Sequence, residues 1–160
     1  MAKEWPKEGY ERDDGEKATW DGSRRGGDEV AALILVIDDD EPVRVMLARL
    51  LAGQGYQVIE FENGLAAREW LDANRPDLVI TDIVMPGLSG TELRRYIARK
   101  YPRLPVILIS GYSADEPAEF AARSPHTVFV PKPFAADELL ELIEEMLPED
   151  KIPPRRHPAP

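Results

Sequence analysis

The sequence predicts a doubly wound α/β fold: a five-stranded parallel sheet in the order 2-1-3-4-5, with helices on both faces. Three observations predict it. Five short apolar runs alternate with five stretches of helical spacing across residues 33–147. Several of the runs are continuously apolar and rich in Val and Ile, as strands buried on both faces are. Acidic, hydroxyl and basic residues stand just after these runs, and an open α/β sheet carries its site at the carboxyl ends of its strands. Strands alternating with helices require parallel pairing. Right-handed crossovers leave few topologies to choose from.

Taken in order, Leu33–Ile37 (LILVI) reads as a buried first strand. Pro42 suits the first turn of a helix, and Val43, Leu47, Leu50 and Leu51 follow at helical spacings, with Gly53 and Gly55 ending it. Tyr56–Phe61 is a second strand. Asn63 or Gly64 precedes a helix bearing Ala66, Ala67, Trp70 and Leu71. Leu78–Thr81 is the third strand and Thr91–Tyr101 the third helix. Val106–Ile109 is the fourth strand, Ala114–Arg123 a weaker helix with Pro117 near its start, and Val128–Val130 a short fifth strand. Ala135–Leu147 closes the series, with Leu139, Leu140, Ile143 and Leu147 on one face.

The flanks read differently. Residues 1–32 are polar and charged without apolar periodicity, which predicts a disordered leader. Residues 148–160 are Pro-rich and predict an extended, disordered tail. One folded unit over 33–147 fits a chain of 160 residues. No apolar run approaches the ~18 residues of a membrane span, and the first residues are not a signal peptide. With no cysteine, disulfides and thiolate metal sites are excluded. Residues 33–147 hold 19 Asp and Glu against 11 Lys and Arg, a balance of −8 within a chain of net charge −10. That acidity argues against direct nucleic-acid binding. A cytoplasmic protein is expected.

The carboxyl ends carry the chemistry. Asp38-Asp39-Asp40-Glu41 follows the first strand, Asp82 the third, Ser110 the fourth and Lys132 the fifth. Carboxylates at close quarters repel unless a cation lies between them. Oxygen donors without His or Cys favour Mg²⁺, Mn²⁺ or Ca²⁺ over zinc. A carboxylate is also a nucleophile toward phosphorus, and a hydroxyl and an ammonium can hold the phosphoryl oxygens. Taken singly, each residue has a structural explanation: an acidic run at a helix N-terminus, a turn Asp, an ordinary loop Lys. Those explanations need four coincidences at one rim of one sheet.

The segments LILVIDDDEPVR, DLVITDIVMPGLSGTEL, PVILISGYS and VFVPKPF, in this order, resemble the receiver domain of bacterial two-component response regulators, a flavodoxin-like (βα)5 fold. The resemblance covers about residues 33–147. It implies that Asp82 is the phosphoacceptor. It also implies that Asp39 binds Mg²⁺ (or Mn²⁺) directly, that Asp38 acts largely through water, and that the Val84 backbone carbonyl completes the ligands. Ser110 would be the switch hydroxyl, with Gly111 leaving it room to move. Lys132 would pair with a phosphoryl oxygen and precede a cis-proline, Pro133. Phe129 would be the aromatic switch, acting by packing alone because it lacks a hydroxyl. Val84 and Tyr112 would flank the phosphoryl group.

The implied function is a phosphoacceptor switch in a phosphorelay rather than an enzyme. A histidine kinase or histidine phosphotransfer protein would be the donor. A downstream protein would bind the face made by the fourth helix, fifth strand and fifth helix, with no direct nucleic-acid contact and no membrane insertion. Pro117, Pro125 and His126 depart from the family pattern and predict a short or displaced fourth helix, with His126 an exposed loop residue. The phrase LISGYS resembles receivers joined to hybrid kinases. Two other readings were weighed. A haloacid-dehalogenase-type phosphohydrolase needs Asp-x-Asp-x-Thr or Val after strand 1, where Pro42 breaks the pattern, and it gives Asp82 no role. A pseudo-receiver would bind a partner without ever being phosphorylated.

Overall fold

The computed structural model describes residues 31–111 and 126–155, and in addition the backbone of Tyr10–Glu11 paired antiparallel with Lys17–Ala18. Residues 1–9, 12–16 and 19–30 of the expected leader lie outside the described residues, whereas Ala32, also expected in the leader, is buried and hydrogen-bonded into the domain. The expected fourth helix, with Pro117, and the residues Tyr112 and Pro125 also lie outside the described residues.

Five parallel strands make the sheet: β1 (Leu33–Ile37), β2 (Gln57–Phe61), β3 (Leu78–Asp82), β4 (Val106–Ser110) and β5 (Thr127–Pro131). Their order is β2-β1-β3-β4-β5, the predicted one. The helices are α1 (Glu41–Gly53), α2 (Gly64–Ala73), α3 (Gly90–Lys100) and a C-terminal helix (Ala136–Met146). Among the described residues no helix is long and apolar enough to cross a membrane.

β1 is buried at all five positions because it is covered on both faces. Its side chains alternate between them. Leu33, Leu35 and Ile37 join a cluster with Trp70 and Leu71 of α2 and Leu93 and Ile97 of α3. Ile34 and Val36 join Leu47 and Leu51 of α1 and Leu139, Leu140 and Ile143 of the C-terminal helix. The continuous apolar run is therefore two half-strands, each feeding one layer of core.

Each helix start has a local cause. Asp40 caps α1 at the Val43 N–H, and Asn63 Oδ1 accepts from Ala66 N at 2.8 Å. α3 opens on a reciprocal capping box: Ser89 Oγ accepts from Glu92 N at 3.2 Å, and Glu92 Oε2 accepts from Ser89 N at 2.9 Å.

The tail corrects the sequence reading. Residues 148–155 are not free but lie on the domain. Glu149–Lys151 form a turn of 3₁₀ helix, and Lys151 O accepts from the buried Ala32 N at 3.0 Å. Ile152 packs on the second core cluster. Arg155 donates to Glu144 through Nε at 2.7 Å and another nitrogen at 3.2 Å. Proline-rich composition carries no sign of this, because the partners are more than ten residues away or at the other end of the domain.

Deleting residues 148–160 removes the Ile152 contact and leaves the buried Ala32 N–H without its Lys151 partner. The expected cost is about 2 kcal/mol, read as a lower urea midpoint with unchanged helical circular dichroism.

Candidate functional site

The site forms where four strands end. The β1–β3 register pairs Ile37 with Thr81, so Asp38 and Asp82 stand one step beyond the last paired residues. Asp38 is 2% exposed. Its Oδ1 accepts from Asp40 N at 2.9 Å, which turns the chain into α1 and leaves Asp39 exposed at the rim. Asp82 is half-buried and its Oδ1 accepts from Ile83 N at 2.9 Å. Carboxylate oxygens of Asp38, Asp39 and Asp82 all lie within 4.8 Å of one another.

Lys132 reaches this cluster because its backbone N–H donates to Ser110 O at 2.8 Å, tying the end of β5 to the end of β4. Its Nζ lies 3.3 Å from Asp38 Oδ2 and 3.8 Å from Asp82 Oδ1. Burial pushes the Asp82 carboxyl up to about 6, and the neighbouring Asp38 charge adds to the rise. The Lys132 ammonium and the Ile83 N–H work against it. Three carboxylates against one ammonium leave the crevice strongly negative.

The other predicted residues have these places. Ser110 ends β4 and is buried at 2% exposure. A Cβ on Gly111 would come no closer than 3.9 Å to Lys132 Cβ. Phe129 pairs with Leu108 in the β4–β5 ladder and packs on the first core cluster. Val84 is exposed in the loop after β3. The Lys132–Pro133 peptide is cis, and His126 is exposed.

The donor set fits a hard divalent cation. All three groups are carboxylates, the set holds no His or Cys, and one oxygen from each lies within 4.8 Å of the others. Asp38, Asp39 and Asp82 are the residues that could hold it.

The sequence reading missed three supports. Arg44 donates through Nη1 to Asp38 O at 2.9 Å and through Nε to Glu60 at 3.1 Å, fixing the turn after β1. Buried Thr81 donates its hydroxyl to Asp82 O at 3.0 Å. Gly90 lets α3 start against β3: a Cβ there would sit 2.2 Å from Asp82 O. The glycine in MPGLSG was the legible signal. Arg44 had none, because its partners are set by the α1–β2 packing.

A family model for the response regulator receiver domain matches residues 34–144. The chain belongs to that family. Among curated relatives, the DNA-binding transcriptional regulator NtrC of Escherichia coli (strain K12) is 37% identical over 115 residues, covering 72% of this chain and 24% of that protein. The sensor kinase CckA of Brucella abortus is 33% identical over 119 residues, covering 73% of this chain and 13% of that protein. The receiver domain thus spans about a quarter or less of these relatives' length. Among solved structures, a CheY-like receiver domain protein from Methanospirillum hungatei superposes with a TM-score of 0.70 at 26% identity, covering 76% of this chain and 97% of that one. The response regulator TrrA from Thermotoga maritima, in complex with Mg²⁺ and BeF, gives a TM-score of 0.65 at 34% identity, covering 72% and 99%.

In this receiver the raised Asp82 carboxyl contributes one part of the metal-free pH dependence, beside Glu60, which burial pushes up to about 7. The folded value of Asp82, about 6, lies above the ordinary 3.8. Its contribution to stability is therefore complete below pH 3.8 and is lost as pH rises through 6. In EDTA near neutral pH, Asp82→Asn is expected to stabilise the protein by about 1–2 kcal/mol. It should also flatten that pH dependence in urea titrations.

Proposed function

We propose that this receiver domain is a phosphoacceptor switch in which Asp82 takes a phosphoryl group from a histidine kinase or a histidine phosphotransfer protein. The observation that carries the reading is the meeting of Asp82 with Asp38, Asp39 and Lys132. A nucleophilic carboxylate, an oxygen-ligand pair and a cation stand within reach of one point.

An Asp82 carboxylate oxygen attacks phosphorus and the bond from phosphorus to the donor's imidazole nitrogen breaks. The imidazole leaves with the bonding electrons and takes up a proton, and an acyl phosphate remains on Asp82. Asp38, Asp39, Asp82 and the Val84 carbonyl would hold Mg²⁺ (or Mn²⁺), which would neutralise phosphoryl charge. Lys132, which here spans Asp38 and Asp82, exchanges a carboxylate for a phosphoryl oxygen. Ser110 donates its hydroxyl to another oxygen, and Gly111 leaves space for that shift. Phe129 follows by repacking, since it has no hydroxyl to re-bond. The face formed by β5 and the C-terminal helix then changes its affinity for a downstream protein. This is a shift between two populations.

The domain acts as a signalling element rather than as an enzyme in its own right. The folded unit as a whole is acidic, with a balance of −8 over residues 33–147, which disfavours direct DNA binding. A cytoplasmic location suits a cysteine-free protein served by such donors.

Intact-protein mass spectrometry after incubation with acetyl phosphate and Mg²⁺ should show one added phosphoryl group. Asp82→Ala should show none, and Lys132→Ala should gain it at least ~10-fold more slowly. A folded, Mg²⁺-binding wild type that gains nothing is the result expected of a binding module that is never phosphorylated.

A further inference from the structure

We propose that the groove between α2 and α3 is a docking site for an acidic segment of a partner protein. The groove has a volume of about 290 Å³ and is lined by Arg68, Leu88, Glu92, Arg95, Tyr96 and Arg99. It lies on the α2–α3 side of the sheet, whereas the output face of the proposed switch is formed by β5 and the C-terminal helix. The proposal does not rest on phosphorylation of Asp82.

Charge identifies the occupant. Residues 94–103 expose Arg95, Arg99, Lys100 and Arg103 with no acid among them, Arg94 being buried against Thr127, in a folded unit whose balance is −8. Arg68, Arg95 and Arg99 are exposed at the groove. A guanidinium recognises a carboxylate by two parallel hydrogen bonds, so clustered arginines select acidic side chains with defined geometry. Asp and Glu of a partner meet here a basic stretch on a folded unit that is acidic as a whole.

The groove also has an apolar component. Arg68 stacks over the Tyr96 ring at 4.8 Å, and the Tyr96 hydroxyl donates to Asp72, so the ring is held in place. Leu88 lies beside it, and Leu65, 56% exposed, reaches Gly87 in the same loop. Arg and Tyr beside an aliphatic patch is the composition of an interface anchor. The surface therefore suits an acidic segment bearing one apolar side chain. A nucleic acid suits it less well: Glu92 stands in the groove, and the domain as a whole repels a polyanion.

The site is preorganised. A Cβ on Gly64 would lie 2.7 Å from Leu88 O, so α2 and the loop are in closest contact. The Ser89–Glu92 capping box fixes the start of α3. Little side-chain and loop ordering remains to be done on binding.

The test uses the full 160-residue chain in an NMR titration of backbone amides. Three probes are added separately: a short Glu/Asp peptide with one central Leu, its Gln/Asn counterpart, and an oligothymidylate. The acidic peptide should bind with a dissociation constant on the order of 10–100 µM at low salt and shift the amides of Leu88, Glu92, Arg95 and Arg99. The amide peptide should not. The double variant Arg68→Glu/Arg99→Glu should weaken binding at least 10-fold while keeping its urea midpoint and Asp82 labelling by acetyl phosphate. The proposal is overturned if those amides do not move, if the double variant binds unchanged, or if the oligothymidylate binds as tightly through the same arginines. It is equally overturned if sedimentation shows a self-association of wild type that the double variant abolishes, because the occupant is then a second copy.

Discussion

Asp38 and Asp82 end neighbouring strands and face each other one register step beyond Ile37 and Thr81. Both are at least partly withdrawn from water, and Asp39 stands at their rim. Burial raises the Asp82 carboxyl first, and the like charge of Asp38 adds to the rise. The arrangement persists because the strands that carry it have no freedom to separate. β1 and β3 bury nearly every side chain, and their ladder is continuous up to the last residue before the acids. Apolar burial over the whole sheet outweighs a local repulsion confined to its edge.

Lys132 is the counterweight, and its position depends on a longer chain of causes. β5 must pair with β4 for the Lys132 N–H to reach Ser110 O, and that bond brings the ammonium back over the β1–β3 edge. The same ammonium lies closer to Asp38 than to Asp82. Arg44 and Thr81 hold the two acidic turns from behind, and the missing Cβ of Gly90 allows α3 to begin against the Asp82 carbonyl. Backbone and side-chain contacts thus hold the acidic site from three sides.

Charge is partitioned between the two layers of helices. The C-terminal helix carries Asp137, Glu138, Glu141, Glu144 and Glu145 and no base, while residues 94–103 carry five bases and no acid. The docked tail belongs to this pattern, since Arg155 settles on Glu144 of the acidic helix. The groove at Arg68, Arg95 and Arg99 is the opposite pole. Different faces of one small domain therefore carry opposite charge.

The element order, the strand order and the chemical residues at the strand ends were legible in the sequence. Period, chain punctuation and strand ends are local properties, and LILVI, MPGLSG and VPKPF state them within a few residues each. Even the α3 capping box could have been read from Ser89 and Glu92. Other features came only with the tertiary structure. Ile152 finds the core across the C-terminal helix, Lys151 meets Ala32 from the far end of the fold, and Arg44 reaches Asp38 and Glu60 together. The α2–α3 groove likewise exists only once two helices pack side by side. The physical reason is the same each time. A single residue's neighbours in sequence constrain its backbone, but its electrostatic and packing partners are chosen by how distant segments come together, which no local pattern encodes.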